Sequence, residues 1–279
     1  MREIATADIT AAVSRLAVEA NRVLGDDVLG ALSSALGLEE SDAGRDVLQQ
    51  LLDNARIARE QGLPLCQDTG FAIVFAEVGQ EARIIGGGLA EAINEGVRRG
   101  YREGYLRTSI CDPLTRKNTG DNTPAVIHTE IVPGDGLKLT FVAKGGGSEN
   151  MSRVTMLAPA AGLAGIEDFV VRRVEESGSN PCPPIIVGVG VGGTFEKCAL
   201  LAKKALLREV GSPHPEARLA EIERRLLARI NNLGIGPQGL GGRMTALAVQ
   251  LEMMPCHIAS LPVAVNIQCH SARHKSIIL

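Results

Sequence analysis

Pro184-Ile-Ile-Val-Gly-Val-Gly-Val-Gly-Gly-Thr194 is the stretch whose reading decides the fold. It is an apolar, strand-like run that passes through glycines into a helical segment, Phe195–Leu207. Gly188-Val-Gly190-Val-Gly-Gly193 also fits the G-x-G-x-x-G pattern that opens a dinucleotide-binding βαβ unit. Such a unit needs a second strand ending in an acidic residue about 20 positions on, where this chain has the loop Pro213-His214-Pro215. Gly234-Ile-Gly236-Pro-Gln-Gly239 fits the same pattern, so a glycine-rich chain produces it cheaply. The stretch is read as a tight strand-to-helix turn. Its helix start at Thr194 could also receive a carboxylate or cluster sulfide on free amides.

Outward from there, the sequence is neither regularly alternating βαβ nor all-β. Residues 1–62 read as a helical N-terminal segment, with apolar positions in Ile9–Leu24 and Val47–Ala58 recurring at three and four residues. Ser41 and Asp42 offer a cap, and Gly62 with Pro64 a stop. Residues 63–279 read as one catalytic domain, with a strand expected at Phe71–Val78 and an amphipathic helix at Leu89–Tyr105. Val126–Val132 and Leu137–Ala143 flank Pro133-Gly-Asp-Gly136 and predict a hairpin. Met156–Val174 predicts a buried helix, Ala217–Ile230 a half-polar one, and Ile258–Ile267 a last buried strand. The fold class expected is α+β, a helical segment followed by a mixed α/β domain with short β-sheets and ligand-binding loops at sheet and helix ends.

Composition removes several functions. The net charge is -3, and two tyrosines, five phenylalanines and no tryptophan leave little to stack on bases, so nucleic acid is not expected as a partner. No apolar run approaches the roughly 20 residues of a membrane span. The N-terminus carries acids where a signal peptide has a basic segment. A cytoplasmic location is expected, with the six cysteines as thiols or metal ligands rather than disulfides.

Three cysteines lie in turn-forming or polar segments: Cys66 in Pro-Leu-Cys-Gln-Asp-Thr-Gly, Cys182 in Asn-Pro-Cys-Pro-Pro, and Cys269 in Asn-Ile-Gln-Cys-His-Ser-Ala-Arg-His. No C-x₂₋₄-C pair supports a structural zinc site. Three thiolates can instead hold an iron–sulfur cluster with one iron open to substrate. Cys198, in a helical stretch, reads as a packed thiol, and Cys111 and Cys256 as core or ligand-supporting positions. Asp68 is the carboxylate nearest Cys66 and a candidate general acid. Arg107 or Arg116, in a donor-rich irregular segment, could grip a carboxylate or simply be solvated. Lys144-Gly-Gly-Gly-Ser-Glu-Asn150 offers consecutive glycine amides to an anion. His257 and His270 neighbour proposed ligands, whereas His128 and His214 read as structural or exposed.

These motifs, in this order, resemble the iron–sulfur hydro-lyases: class I fumarate hydratase and L-tartrate dehydratase, in their N-terminal domain or α subunit. The likeness runs through the Cys66 loop, Asp112-Pro113, Arg116-Lys-Asn-Thr, Asn122-Thr-Pro, Lys144–Asn150, Asn180–Pro184, Gly192-Gly-Thr194 and His257 through Cys269. The resemblance implies a [4Fe–4S] cluster on Cys66, Cys182 and Cys269, with Asp68 as catalytic acid. It implies a dicarboxylate site built from Gln67, Arg107, Gly145, Gly146, Gly147 and His257. Single-chain members continue into a second domain that carries the base, so a separate β subunit is expected to complete the site, in an α2β2 assembly. Hydration of fumarate to L-malate, a step of the tricarboxylic acid cycle, is the first expectation. L-tartrate dehydratase or mesaconate hydratase is the alternative, and a non-catalytic iron–sulfur scaffold or oxygen sensor the rival of another class.

Overall fold

Ile9, Val13, Leu16, Ala17 and Ala20 recur at three and four residues, and helix α1 (Thr6–Arg22) buries that whole stripe. Its partner is α4 (Leu89–Glu103), on which Gly96 and Gly100 make a groove. A Cβ on Gly96 would stand 2.6 Å from the Val13 Cβ, and one on Gly100 2.8 Å from the Ser14 carbonyl. The two helices therefore touch at backbone level. The computed structural model describes residues 2–279. The chain forms two compact units that alternate along the sequence: Met1–Gly25, Ala55–Gly146 and Arg273–Leu279 in one, Asp26–Asn54 and Gly147–Ala272 in the other. The class is α+β, with helices dominating the first 61 residues, as expected.

In the first unit α1 packs on a four-stranded sheet, whose strand order is β10-β5-β2-β4. These strands are β2 (Phe71–Gly79), β4 (Val126–Val132), β5 (Leu137–Lys144) and β10 (His274–Ile278). A parallel pair, β1 (Arg2–Ala5) and β3 (Ala82–Ile85), stands apart from it. The expected hairpin of residues 126–132 and 137–143 does not form. β2 lies between the two strands, parallel to β4 and antiparallel to β5. The run Ala72–Ala76 is buried on both faces, which suits a central strand, and β4 is left at the edge with Ile131 exposed. The Pro133–Gly136 turn bonds the end of β2 instead, the Gly79 and Glu81 amides donating to the Gly136 and Gly134 carbonyls.

The second unit holds a sheet of order β6-β9-β7-β8: β6 (Arg153–Leu157), β7 (Ile185–Gly192), β8 (Ala246–Met254) and β9 (Leu261–Gln268). Residues Val187, Val189 and Val191 of β7 enter a core with α6 (Gly162–Ser177) and α8 (Ala217–Asn231). The glycines between them take α7 (Phe195–Ala205) on the other face. The helix expected over 156–174 is divided: β6 ends at Leu157, Pro159 opens a short 3₁₀ turn, and Gly162 at φ 54° starts α6. Strand β9 begins at Leu261, because Ile258 is 92% exposed in the preceding loop.

One buried carboxylate pins this unit. Glu39, 2% exposed, follows α2 (Asp26–Leu38). Its carboxylate accepts the Glu40, Ser41, Arg243 and Met244 amides at 2.8–3.0 Å. Burial alone would raise its pKa, but these backbone donors hold it below the ordinary glutamate range. Glu39→Gln should cost about 3 kcal/mol at pH 7, since the amide nitrogen opposes backbone donors. The folded-state pKa is depressed, so the contribution is full above the unfolded value and is lost as the pH falls through the lowered one. The melting difference between wild type and Glu39→Gln should therefore narrow with acidification below the glutamate range. A difference independent of pH would show that the charge is not what holds the loop.

Candidate functional site

The first unit contributes the loop Leu65–Gly70, between α3 (Asp42–Gln61) and β2. Polar side chains buried beneath it fix its shape. The Leu65 amide donates to the Asn21 carbonyl, and the Tyr101 hydroxyl lies 2.8 Å from the Thr69 carbonyl. Burial pushes the Tyr101 hydroxyl well above its ordinary pKa, keeping it a neutral donor. Thr69 Oγ1 donates to the Arg107 carbonyl, and Asn122 joins Gly70 to Ser109. Gly70, at φ 71°, crosses Lys144 so closely that a Cβ would stand 2.8 Å from its backbone.

Within this loop the Asp68 amide lies 3.4 Å from Cys66 Sγ, an N–H aimed at sulfur. The Asp68 carboxylate is oriented by two backbone donors, Gly70 on Oδ1 at 2.9 Å and Gly146 on Oδ2 at 2.8 Å. A guanidinium from the residue just before β10, Arg273, donates to the Asp68 carbonyl and to Asn21 Oδ1. The glycine triplet is not the open turn the sequence suggests. Gly146 and Gly147 start a five-residue helix, α5 (Gly146–Asn150), and the anion received by Gly146 is Asp68 itself. Gln67 and the Arg107 side chain are exposed, and Arg107 makes no ion pair among the described residues.

The second unit brings the Cys182 and Cys269 loops together. Cys182 is exposed and takes φ 58°, in a turn closed by its amide on the Ser179 carbonyl. His270 Nδ1 lies 3.1 Å from the Cys182 carbonyl and 3.3 Å from Gln238 Nε2, which donates to the Pro183 carbonyl at 2.9 Å. The contact with the Cys182 carbonyl requires a proton on Nδ1. On either side of Cys269, Gln268 Oε1 and Ser271 Oγ are buried without a partner.

His257 is not brought to this pair by any bond. It stands exposed in the loop between β8 and β9, and its Nδ1 accepts the Ala259 amide within that loop. Cys256, expected in the core or supporting a ligand, is exposed there too. Cys198 is the packed thiol expected, fully buried with Sγ 3.2 Å from the Phe195 carbonyl, and burial pushes its pKa up. Among the described residues, no three His, Cys, Asp or Glu side chains are grouped as a single metal ion would need. No helix there is long and apolar enough to cross a membrane.

The family model for fumarate hydratase (Fumerase) matches residues 10–278. The chain belongs to the fumarate hydratase (Fumerase) family. It is accordingly a hydro-lyase. A Methanocaldococcus jannaschii protein provisionally named L(+)-tartrate dehydratase subunit alpha is 43% identical over 274 residues, covering 95% of each chain. The L(+)-tartrate dehydratase subunit alpha of Escherichia coli K12 is 34% identical over 258 residues, 91% of this chain and 85% of its own.

Around the Fumerase motifs, sequence reasoning passed over the residues that support them. Asn21 could have been noticed as a polar residue at the end of an apolar helical stripe. Arg273 lay inside the Cys269 motif, overshadowed by its two histidines. Gln238 had no signal beyond its place in a glycine cluster.

Proposed function

We propose that this chain is the α subunit of an iron–sulfur hydro-lyase that dehydrates L-tartrate, with the active site completed by a β subunit. The observation that carries the reading is the Cys66–Asp68 loop: a thiol faced by an amide, next to a carboxylate held by two backbone donors. The names of the M. jannaschii and E. coli relatives move tartrate ahead of fumarate, the first expectation.

The thiolates of Cys66, Cys182 and Cys269 would hold a [4Fe–4S] cluster. Their surroundings fit it: an amide on Cys66 sulfur and, two residues after Cys269, the buried Ser271 hydroxyl, a donor with no partner among the described residues. When bound, such a group supplies an open iron as Lewis acid toward the substrate hydroxyl and a carboxylate. Asp68, oriented by Gly70 and Gly146, would give its proton to the departing hydroxyl, which leaves as water. Arg107, exposed and without an ion pair among the described residues, would take a substrate carboxylate in a bidentate grip, and Gln67, Gly145, Gly147 and His257 would be further substrate contacts. The β subunit would supply the base that removes the proton from the neighbouring carbon. Loss of water from L-tartrate gives the enol of oxaloacetate. The six free cysteines suit a reducing, cytoplasmic setting.

Hydration of fumarate to L-malate is the second reading, favoured by the name of the family model. Steady-state kinetics of the co-expressed α and β subunits on L-tartrate, L-malate and 2-methylfumarate separates the cases. The highest kcat/KM is expected on L-tartrate, and a preference for L-malate would return the assignment to fumarate hydratase. In the same complex Asp68→Asn should lower kcat by about 10²–10⁴-fold with iron content unchanged. Full activity in that variant would remove Asp68 from proton transfer.

A further inference from the structure

Val126-Ile-His-Thr-Glu-Ile-Val132, the whole of β4, is nearly a palindrome about Thr129. β4 is the last strand of its sheet, parallel to β2 on one side and with no strand on the other among the described residues. The Gln80 amide donates to the Val132 carbonyl, so Val132 turns its backbone groups toward β2, and Glu130, His128 and Val126 do so with it. Ile127, Thr129 and Ile131 alternate with these and direct their amides and carbonyls at the open edge. Ile131 is 74% exposed there and Val126 42%. An open edge with apolar side chains is a template for another strand.

We propose that β4 pairs antiparallel with β4 of a second copy of this chain, about a twofold axis at Thr129, joining two four-stranded sheets into one of eight strands. With Thr129 opposite its copy, Ile127 faces Ile131, Val126 faces Val132, and His128 faces Glu130 on each side of the axis. Outward-directed residues meet only outward-directed ones, so Ile127, Thr129 and Ile131 form the hydrogen-bonded pairs of the ladder. His128 and Glu130 fall in the closer, non-hydrogen-bonded pairs, about 4.5 Å between Cα atoms. Threonine pairs and opposite charges are combinations that stabilise a sheet. Phe75 stacks on His128 with ring centroids 5.1 Å apart, which holds the imidazole on the face where Glu130 of the copy would arrive. Charge also fixes the register. A slip of two residues one way sets Glu130 against Glu130, and the other way sets His128 against His128 and Glu130 against Val126.

The test is sedimentation velocity of the full-length chain over a concentration series, with a melting curve for each variant. Wild type should be a dimer. Thr129→Pro removes an amide that points away from β2, so it should keep the fold and leave a monomer. Glu130→Lys should weaken the dimer by about tenfold, and adding His128→Glu to it should restore the affinity, because opposite charges then face each other again. The charge variants carry the test if Thr129→Pro fails to fold. A wild-type chain that stays monomeric throughout would overturn the proposal. So would a dimer whose affinity neither Thr129→Pro nor Glu130→Lys changes, since the contact would then lie on another face. Release of a co-expressed β subunit by Thr129→Pro, with the dimer of this chain intact, would give the edge to that subunit and overturn it as well.

Discussion

Cys66→Ser, Cys182→Ser and Cys269→Ser should each abolish the cluster, leaving chains that carry little iron or acid-labile sulfide after anaerobic reconstitution. The expectation follows from ligand chemistry. A cluster with only three protein ligands has none to spare, and a serine hydroxyl is a far poorer ligand for iron than a thiolate. Folding should survive in each case, because none of the three sulfurs is packed in a core: Cys182 is exposed and the other two are half-buried. Cys198→Ser is the control with the opposite outcome. Its hydroxyl can bond the Phe195 carbonyl as the thiol does, so iron should be retained and stability should fall by only about 1 kcal/mol. Retention of iron in Cys182→Ser together with its loss in Cys198→Ser would break the ligand assignment.

What could be read in the sequence was local. The helical stripe of α1, the turn-borne cysteines and the packed Cys198 follow from spacing and immediate neighbours, and the structure agrees with each. What could not be read was pairing at a distance. β4 and β5 have every local mark of a hairpin, and β2 comes between them because its Ala72–Ala76 run needs cover on both faces. Within the glycine triplet at 145–147 a distant partner also intervenes: the Gly146 amide meets a carboxylate 78 residues earlier in the chain. Support for the Cys66 loop likewise comes from Asn21 and Arg273, separated by 252 positions. No local pattern names such a partner. A buried polar residue in an apolar stripe, as Asn21 is, remains the one signal that something distant must satisfy it.

Gly190→Ala should be among the most damaging single substitutions in the second unit, and it bears directly on the glycine pattern of β7. In this strand every residue is buried, and valines alternate with glycines. The valines fill one core, and the glycines admit the backbone of α7 on the other face. A Cβ at Gly190 would stand 2.0 Å from the Cys198 carbonyl and 2.5 Å from the Ala202 amide, and one at Gly188 2.1 Å from the Ala202 carbonyl. These neighbours are backbone atoms of a helix and cannot rotate away. Relief requires lifting α7 off the sheet and opening the contacts of Cys198 and Ala202 with Ala264. The cost should be about 3–5 kcal/mol, a fall in melting temperature on the order of 10 °C. Gly30→Ala gives the contrast. Gly30 lies in α2 with nothing near its would-be Cβ, so alanine there should stabilise by up to about 1 kcal/mol. Were Gly190→Ala to melt with the wild type, α7 would not be seated on β7 as described, and the alternation of glycine and valine would need a cause other than helix packing.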